Sequence, residues 1–121
     1  MATQNLLGAS SNLPAVLVSQ ALANSETTQY TCPSNSAVRI CTAVLTNTSN
    51  SSVTVSVSLV KSGGTASNSN RILSSYSLAA HDSLSLNDLL SGAMLGPADF
   101  ISAIASASTS VSFVITGAVS S

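Results

Sequence analysis

Alternation of apolar and hydroxyl side chains runs through much of this chain and predicts β-strands. Residues 53–60 read Val-Thr-Val-Ser-Val-Ser-Leu-Val, with a strict period of two. Successive strand residues point to opposite faces of a sheet, so one face receives Leu59 and the valines at 53, 55 and 57. Thr54 and the serines at 56 and 58 take the other face.

Seven further segments are rich in β-branched residues or alternate in the same way, and turn-forming residues separate them. They are Ala15–Ala21, Thr27–Thr31, Ala37–Thr46, Arg71–Leu78, Ser83–Leu86, Phe100–Ala105 and Val111–Thr116. A short helical turn is predicted at Asn87–Ser91, with Asn87 as its N-cap and Gly92 as its stop. About seven or eight short strands at this spacing predict an all-β fold, a single antiparallel β-sandwich that is jelly-roll-like.

The segment Ala37–Thr46 is apolar on both of its predicted faces. A period of two places Val38, Ile40 and Val44 together, and Cys41, Ala43 and Leu45 on the opposite side. Such a strand is typical of a sheet covered on both sides. We therefore expect a second cover for this strand, which an oligomer partner could supply.

The length of 121 residues fits one domain. Residues 1–12 are polar and small apart from Leu6-Leu7, and we expect them to form an extended N-terminal arm held by a neighbouring subunit. An arm folded back on its own sheet is the alternative. Residues 13–121 form the predicted sandwich domain. Residues 14–23, PAVLVSQALA, have small residues like those of a cleavage site but follow no positively charged region, so we interpret them as a strand.

Charged side chains make up 6% of this chain, against roughly 25% in an average soluble domain. Their place is taken by 27 Ser, 11 Thr and 9 Asn. Hydroxyl and amide groups can bond to a neighbouring chain without the desolvation cost of an ion, so we expect a surface that mostly meets other protein. Three cations, two Tyr and two Phe are too few for a nucleic-acid interface. No apolar run reaches the roughly 18 residues of a membrane helix.

The sequence shows no pair or triad of residues that is typical of a catalytic site. We therefore predict no enzyme activity, cofactor, metal or small-molecule substrate. His81 is the single histidine, and its neighbour Asp82 would face the opposite way in a strand. We predict for His81 a turn position with a positive φ, which histidine tolerates better than most residues. Asp82 and Asp88 are expected to accept bonds from local backbone donors.

Cys32 and Cys41 do not have the spacing of a zinc site. We interpret both as buried small hydrophobic residues, with a disulfide within or between subunits as the alternative. Two glycosylation sequons begin at Asn47 and Asn50, which is weak evidence in a chain so rich in Ser and Asn. Among the aromatic residues, we predict Phe113 in the core. Tyr76 is the remaining candidate for an exposed ring on which a sugar could stack.

From about Gln29 to Val119 the order of motifs resembles small β-sandwich virion proteins of tailed bacteriophages. The motifs are YTCPSNSAVRICTAVLTNTSNSSVTVSVSLV, SGGTAS, SLAAHDSLSLNDLL and GPADFISAIASASTSVSFVITGAV. In that family we expect a Tyr-Thr-x-Pro entry at 30–33, an Asn-Thr pair at 47–48 and a final strand closing on Gly117. A Leu-Ala-Ala-Gly turn is expected where this chain has His81 in place of the glycine.

The resemblance implies a non-enzymatic virion component, assembled in the bacterial host cytoplasm and present in several symmetry-related copies. We expect a capsid decoration or cement protein that contacts the major capsid protein or other virion proteins. A homo-oligomer is expected, and trimers are common among such sandwiches. A neck, tail or fibre protein is one alternative, and a carbohydrate- or host-surface-binding module is another.

Overall fold

The computed structural model describes residues 12–90 and 92–120. Their strands are β1 (Asn12–Ala21), β2 (Thr27–Thr31), β3 (Ala37–Asn47), β4 (Val53–Val60), β5 (Arg71–Leu78), β6 (Ser83–Ser85), β7 (Met94–Leu95), β8 (Phe100–Ala105) and β9 (Val111–Ser120). One helical turn, α1 (Asn87–Leu90), lies between β6 and β7. Asn87 Oδ1 accepts a bond from the backbone N–H of Ala43 on β3, at 3.1 Å, which fastens this turn to the sheet.

Two antiparallel sheets pack against each other. Sheet A has the order β1-β9-β3-β6, with β7 also paired to β3, and sheet B has the order β2-β8-β4-β5. When the two-residue β7 is set aside, each strand of one sheet has its counterpart in the other: β1 with β2, β9 with β8, β3 with β4 and β6 with β5. This is jelly-roll connectivity, so the predicted all-β sandwich is confirmed.

The strands predicted from alternation agree with the structure closely. The predicted bounds of β2, β4, β5 and β8 are those observed, whereas β1, β3 and β9 are longer and β6 is one residue shorter. The segment at residues 14–23 is part of β1 and its exit, as the strand interpretation requires. The short β7 was not predicted, because two residues carry no measurable alternation. The domain boundary proposed after residue 12 falls inside β1, where Asn12 pairs with Ser120, and the predicted arm otherwise lies outside the described residues.

The core lies between the two sheets. Its largest fully buried side chains include Phe113 and Ile115 of β9, Ile40 and Leu45 of β3, and Ile101 of β8. The three valines of β4 that the alternation assigned to one face are buried in this core, and Leu59 packs against it. The predicted core position of Phe113 is confirmed by its complete burial.

The faces predicted for β3 were wrong, because the strand contains a β-bulge. Its pairing with β9 shifts register between Ile40 and Thr42, which leaves Cys41 as an extra residue. The bulge reverses the alternation, so Val38, Ile40, Ala43 and Leu45 all reach the core while Val44 turns outward. The bulge therefore explains most of the apolar residues on the two predicted faces: core-facing side chains are at even positions before it and at odd positions after it.

Candidate interaction surfaces

The outer face of sheet A, turned away from the core, consists of small apolar and hydroxyl side chains. Cross-strand partners share a face of a sheet, and the pairing of β1, β9 and β3 aligns these residues in rows. The rows are Pro14-Ala118-Arg39, Val16-Thr116-Thr42, Ser19-Val114-Val44 and Ala21-Ser112-Thr46. Met94 extends the first row, and Ser85 and Ser83 extend the last two.

This face combines exposed apolar surface with very little charge. Val16 is 62% exposed, Met94 54% and Val114 37%. Arg39 is the one charged side chain in the strands of sheet A. At the centre the hydroxyls of Thr42 and Thr116 lie 2.6 Å apart and bond to each other across the strands. Such a surface loses little on leaving water, since Arg39 is the one ion in the strands of sheet A whose hydration would be disturbed.

The edges of both sheets carry features that oppose strand addition. Edge strand β1 contains Pro14, which lacks an N–H, and a bulge between Val16 and Val18. Edge strand β2 has a bulge between Thr28 and Tyr30. At the other edge of sheet A, β6 and β7 have three and two residues.

Edge strand β5 is the most irregular. Two of its residues, Ser74 and Ser75, lie opposite the single residue Ser56 of β4. Ser75 has a φ of +48°, and its backbone N–H donates a 2.8 Å bond to Ser56 Oγ. A distorted edge of this kind is a poor template for a further strand. Contacts with another protein are therefore better accommodated by a face than by an edge.

A polar cluster covers part of the outer face of sheet B. Arg71 Nη2 donates to Glu26 Oε1 at 2.7 Å, and its Nη1 donates to Ser58 Oγ at 3.0 Å. Ser102 Oγ donates to Glu26 Oε2 at 2.6 Å. Partial burial by itself raises the pKa of Glu26, but the bonds from Arg71 and Ser102 and the charge of Arg71 outweigh it, so the pKa is lowered.

A shallow pocket of about 280 Å³ lies beside this cluster. Its lining consists of Asn24, Thr54, Ser56, Arg71, Ser75, Ile104, Ala105 and Ser106. Tyr76, the aromatic residue left as a possible surface platform, is 45% exposed but is not part of this lining. The charge of Arg71 is already compensated by Glu26. The pocket thus offers hydroxyl and amide groups without an aromatic ring on which a sugar could stack.

His81 occupies the predicted turn with the predicted backbone. Its φ is +60°, a conformation that glycine adopts more easily and that histidine tolerates better than most residues. His81 Nε2 lies 2.7 Å from Asn50 Oδ1, so its nearest side-chain partner is an amide. Asp82 Oδ1 accepts from the N–H of Ser83 at 3.0 Å, as expected for a turn residue.

Sequence reasoning missed the structural importance of Asn47. The side chain is completely buried, and its Nδ2 donates to the carbonyls of Ser51, Leu78 and Ala79 at 2.8–3.2 Å. Its Oδ1 accepts from the N–H and the hydroxyl of Ser49. The sequon at Asn47 therefore places its amide inside the fold, where it holds two loops to the end of β3.

The two cysteines have different environments, and both are free thiols. Cys32 is buried as predicted, and burial together with the negative charge of Asp99 raises the pKa of its thiol. Cys41 is exposed, so the prediction of a buried side chain was wrong for it. The reason is the bulge, which places Cys41 beside Thr42 near the middle of the outer face of sheet A.

Within residues 12–90 and 92–120, no three acidic, histidine or cysteine side chains converge as metal ligands would. None of the helical structure described there is long and apolar enough to cross a membrane. Comparison of the chain with models of protein families, with curated proteins and with solved structures found no match.

Proposed function

We propose that this chain is a non-enzymatic structural component of a tailed-phage virion. Within that class we assign it to the capsid decoration or cement proteins, which stabilise the shell through contacts between subunits. Its partners are the major capsid protein or other virion proteins, together with copies of itself. The virion is accordingly its place of action.

The observation that carries this proposal is the outer face of sheet A. Exposed Val16 and Val114 and paired threonine hydroxyls form a surface whose strands carry one charged side chain, Arg39. A single-chain protein with so few charges has weak protection against association. Because the sheet edges carry bulges or are short, association through this face is more favourable than association through an edge.

The jelly-roll connectivity supports the same class by analogy. This architecture occurs in viral capsid proteins and in lectins, so it does not by itself distinguish assembly from sugar binding. The pocket beside Arg71 lacks an aromatic ring in its lining. We therefore rank assembly above recognition of a carbohydrate. Neck, tail and fibre proteins use protein contacts as well, and the experiment below separates them from decoration.

The proposal is tested by adding the purified protein to expanded capsids that lack it, and then imaging the particles. Decoration predicts saturable binding at regular lattice positions. Many copies that each bind weakly would give stable occupancy. In images of complete virions, density found only at the neck or tail would replace decoration by the neck or tail assignment. Absence of the protein from capsid, neck and tail would overturn the virion proposal.

A further inference from the structure

We infer that the outer face of sheet A is the contact between two copies of this chain, packed face to face around a two-fold axis with their strands running in reversed directions. Within the proposed function, the partner of this one face is thus a second copy of the chain. The inference rests on that function in one respect: both require that the chain acts through contacts with protein.

Self-complementarity of the side chains is the first argument for a second copy. A hydroxyl both donates and accepts hydrogen bonds, so Thr42, Thr116 and the surrounding serines match the same groups on an identical face. Val16 shares a row with Thr42 and Thr116, and Val44 and Val114 share the next row with Ser19. A two-fold axis that crosses the strands between these two rows brings the valines of each row against the hydroxyls of the other row in the second copy, as in the aligned packing of two sheets.

Charge at the two ends of the face is the second argument. Arg39 lies in the first row, together with Ala118 and Met94. At the opposite end, the Asp82 carbonyl accepts a 2.8 Å bond from the N–H of Asn47, the last residue of β3. Reversed strand directions place Arg39 of each copy toward the Asp82 end of the other. Parallel directions would instead place the two arginines at the same end.

The size of the face sets the expected strength of the dimer. The four rows extend over about seven residues of β1, β9 and β3, and β6 and β7 make the face four strands wide, which at about 4.8 Å between strands gives a flat area of roughly 450 Å². A standard stable interface buries about 800 Å² of accessible surface per partner. The contact therefore belongs to the weaker class, and we expect dissociation constants of about 1–100 μM, with dimers that separate on dilution.

Analytical ultracentrifugation of the purified chain from about 1 to 300 μM provides the test, because this range spans the expected dissociation constant. The wild-type chain should shift from monomer to dimer. Val114→Asp places one buried, unpaired carboxylate from each copy in the contact and should weaken dimerisation at least about 100-fold. Val16→Asp, at a more exposed position, should do the same, which guards against a folding defect in the first variant.

The matched control is Ser77→Asp, which adds the same charge to an exposed position on β5. It should leave the dissociation constant unchanged. Arg39→Asp should weaken the dimer a few-fold, and adding Asp82→Arg should restore it, because an exposed ion pair changes an association constant by only a few-fold.

Exposed Cys41 gives an independent readout of the geometry. A short bismaleimide should join Cys41 to Cys41 in the dimer, and Cys41→Ser should abolish the product, since Cys32 is buried. A chain that stays monomeric throughout the concentration range would overturn the inference, and so would a dimer unaffected by both aspartate variants. Since no capsid is present, either result leaves the virion proposal to its own assay.

Discussion

Asn47 joins parts of the chain that are distant in sequence. Its amide binds the carbonyls of Ser51 in one loop and of Leu78 and Ala79 in another, while its oxygen accepts from Ser49. A hydrogen bond adds only a small net amount to stability, but a buried polar group that loses its partner is penalised more heavily. Loss of the Asn47 bonds should therefore cost more free energy than their net strength suggests. The residue fixes the end of β3, where the outer face of sheet A begins.

Asn47→Asp should destabilise the fold strongly although the side chain keeps its shape. The change removes the amide donor that Asn47 supplies to the carbonyls of Ser51, Leu78 and Ala79, and it places a buried charge beside them. We expect the free energy of unfolding to fall by about 3 kcal/mol or more. Chemical denaturation monitored by circular dichroism measures this. Asn68→Asp, in an exposed loop, is the control and should change it by less than about 0.5 kcal/mol. Equal effects of both changes would contradict the assigned role.

Glu26→Gln should make stability less dependent on pH. Burial alone would raise the Glu26 pKa, but the bonds from Arg71 and Ser102 lower it in the folded state from the ordinary 4.5. The carboxylate therefore stabilises the fold above about pH 4.5, and this contribution is lost as the pH falls through the lowered pKa. At pH 7 we expect the variant to be less stable by about 1 kcal/mol. This difference should shrink as the pH falls below the lowered pKa.

Urea denaturation at pH 7 and at pH 3 gives both quantities. Asp88→Asn removes a carboxylate from an exposed position and should have little effect at pH 7. A difference between Glu26→Gln and the wild type that stays constant from pH 7 to pH 3 would show that the ion pair does not contribute as described.

At the scale of single elements, the bulges of sheet A shape the outer face. β1 and β3 both shift register next to the same part of β9, at Val16/Val18 and at Ile40/Thr42. Between them, Gly117 of β9 lies so close to the carbonyl oxygen of Arg39 that a β-carbon there would overlap it. The Leu17 side chain approaches from the other neighbouring strand. A glycine at position 117 therefore allows both bulged strands to lie against β9.

Gly117→Ala should destabilise the fold, because the clash is with backbone and is not relieved by a side-chain rotation. We expect a loss of about 3 kcal/mol, at the upper end of overpacking effects. Gly63→Ala is the control: its φ is +82° with open space around it, so it should cost only about 1 kcal/mol of backbone strain. Thermal unfolding of the two variants measures the difference. A smaller loss for Gly117→Ala than for Gly63→Ala would contradict the close packing of β9 against β3.

Most elements could be predicted from the sequence, because hydroxyl and apolar residues alternate within each strand and Asn, Ser and Gly separate the strands. The bulge at Cys41 could not be predicted, since apolar residues on both faces of β3 are equally typical of a regular strand that is covered on both sides. The composition of the outer face followed from the low charge, but which residues share that face depended on the bulge. The burial of Asn47 had no local signal, because its partners lie in loops up to 32 residues away.

At the scale of the whole molecule, the proposed assembly rests on the distribution of charge. The Glu26–Arg71 ion pair lies on sheet B, whereas the strands of sheet A carry Arg39 alone. The irregular edges of β1, β2 and β5 oppose growth by strand addition. A molecule of this kind can associate through one face and still avoid open-ended aggregation, as a subunit of a regular lattice must.

An image reconstruction of the particle that carries this chain would reveal the symmetry and the neighbours of each copy, and so whether the chain decorates a capsid. We expect copies at regular positions on the capsid lattice, with the outer face of sheet A covered by another protein chain. Particles in which every copy leaves Val16 and Val114 facing solvent, or which do not contain the chain, would contradict it.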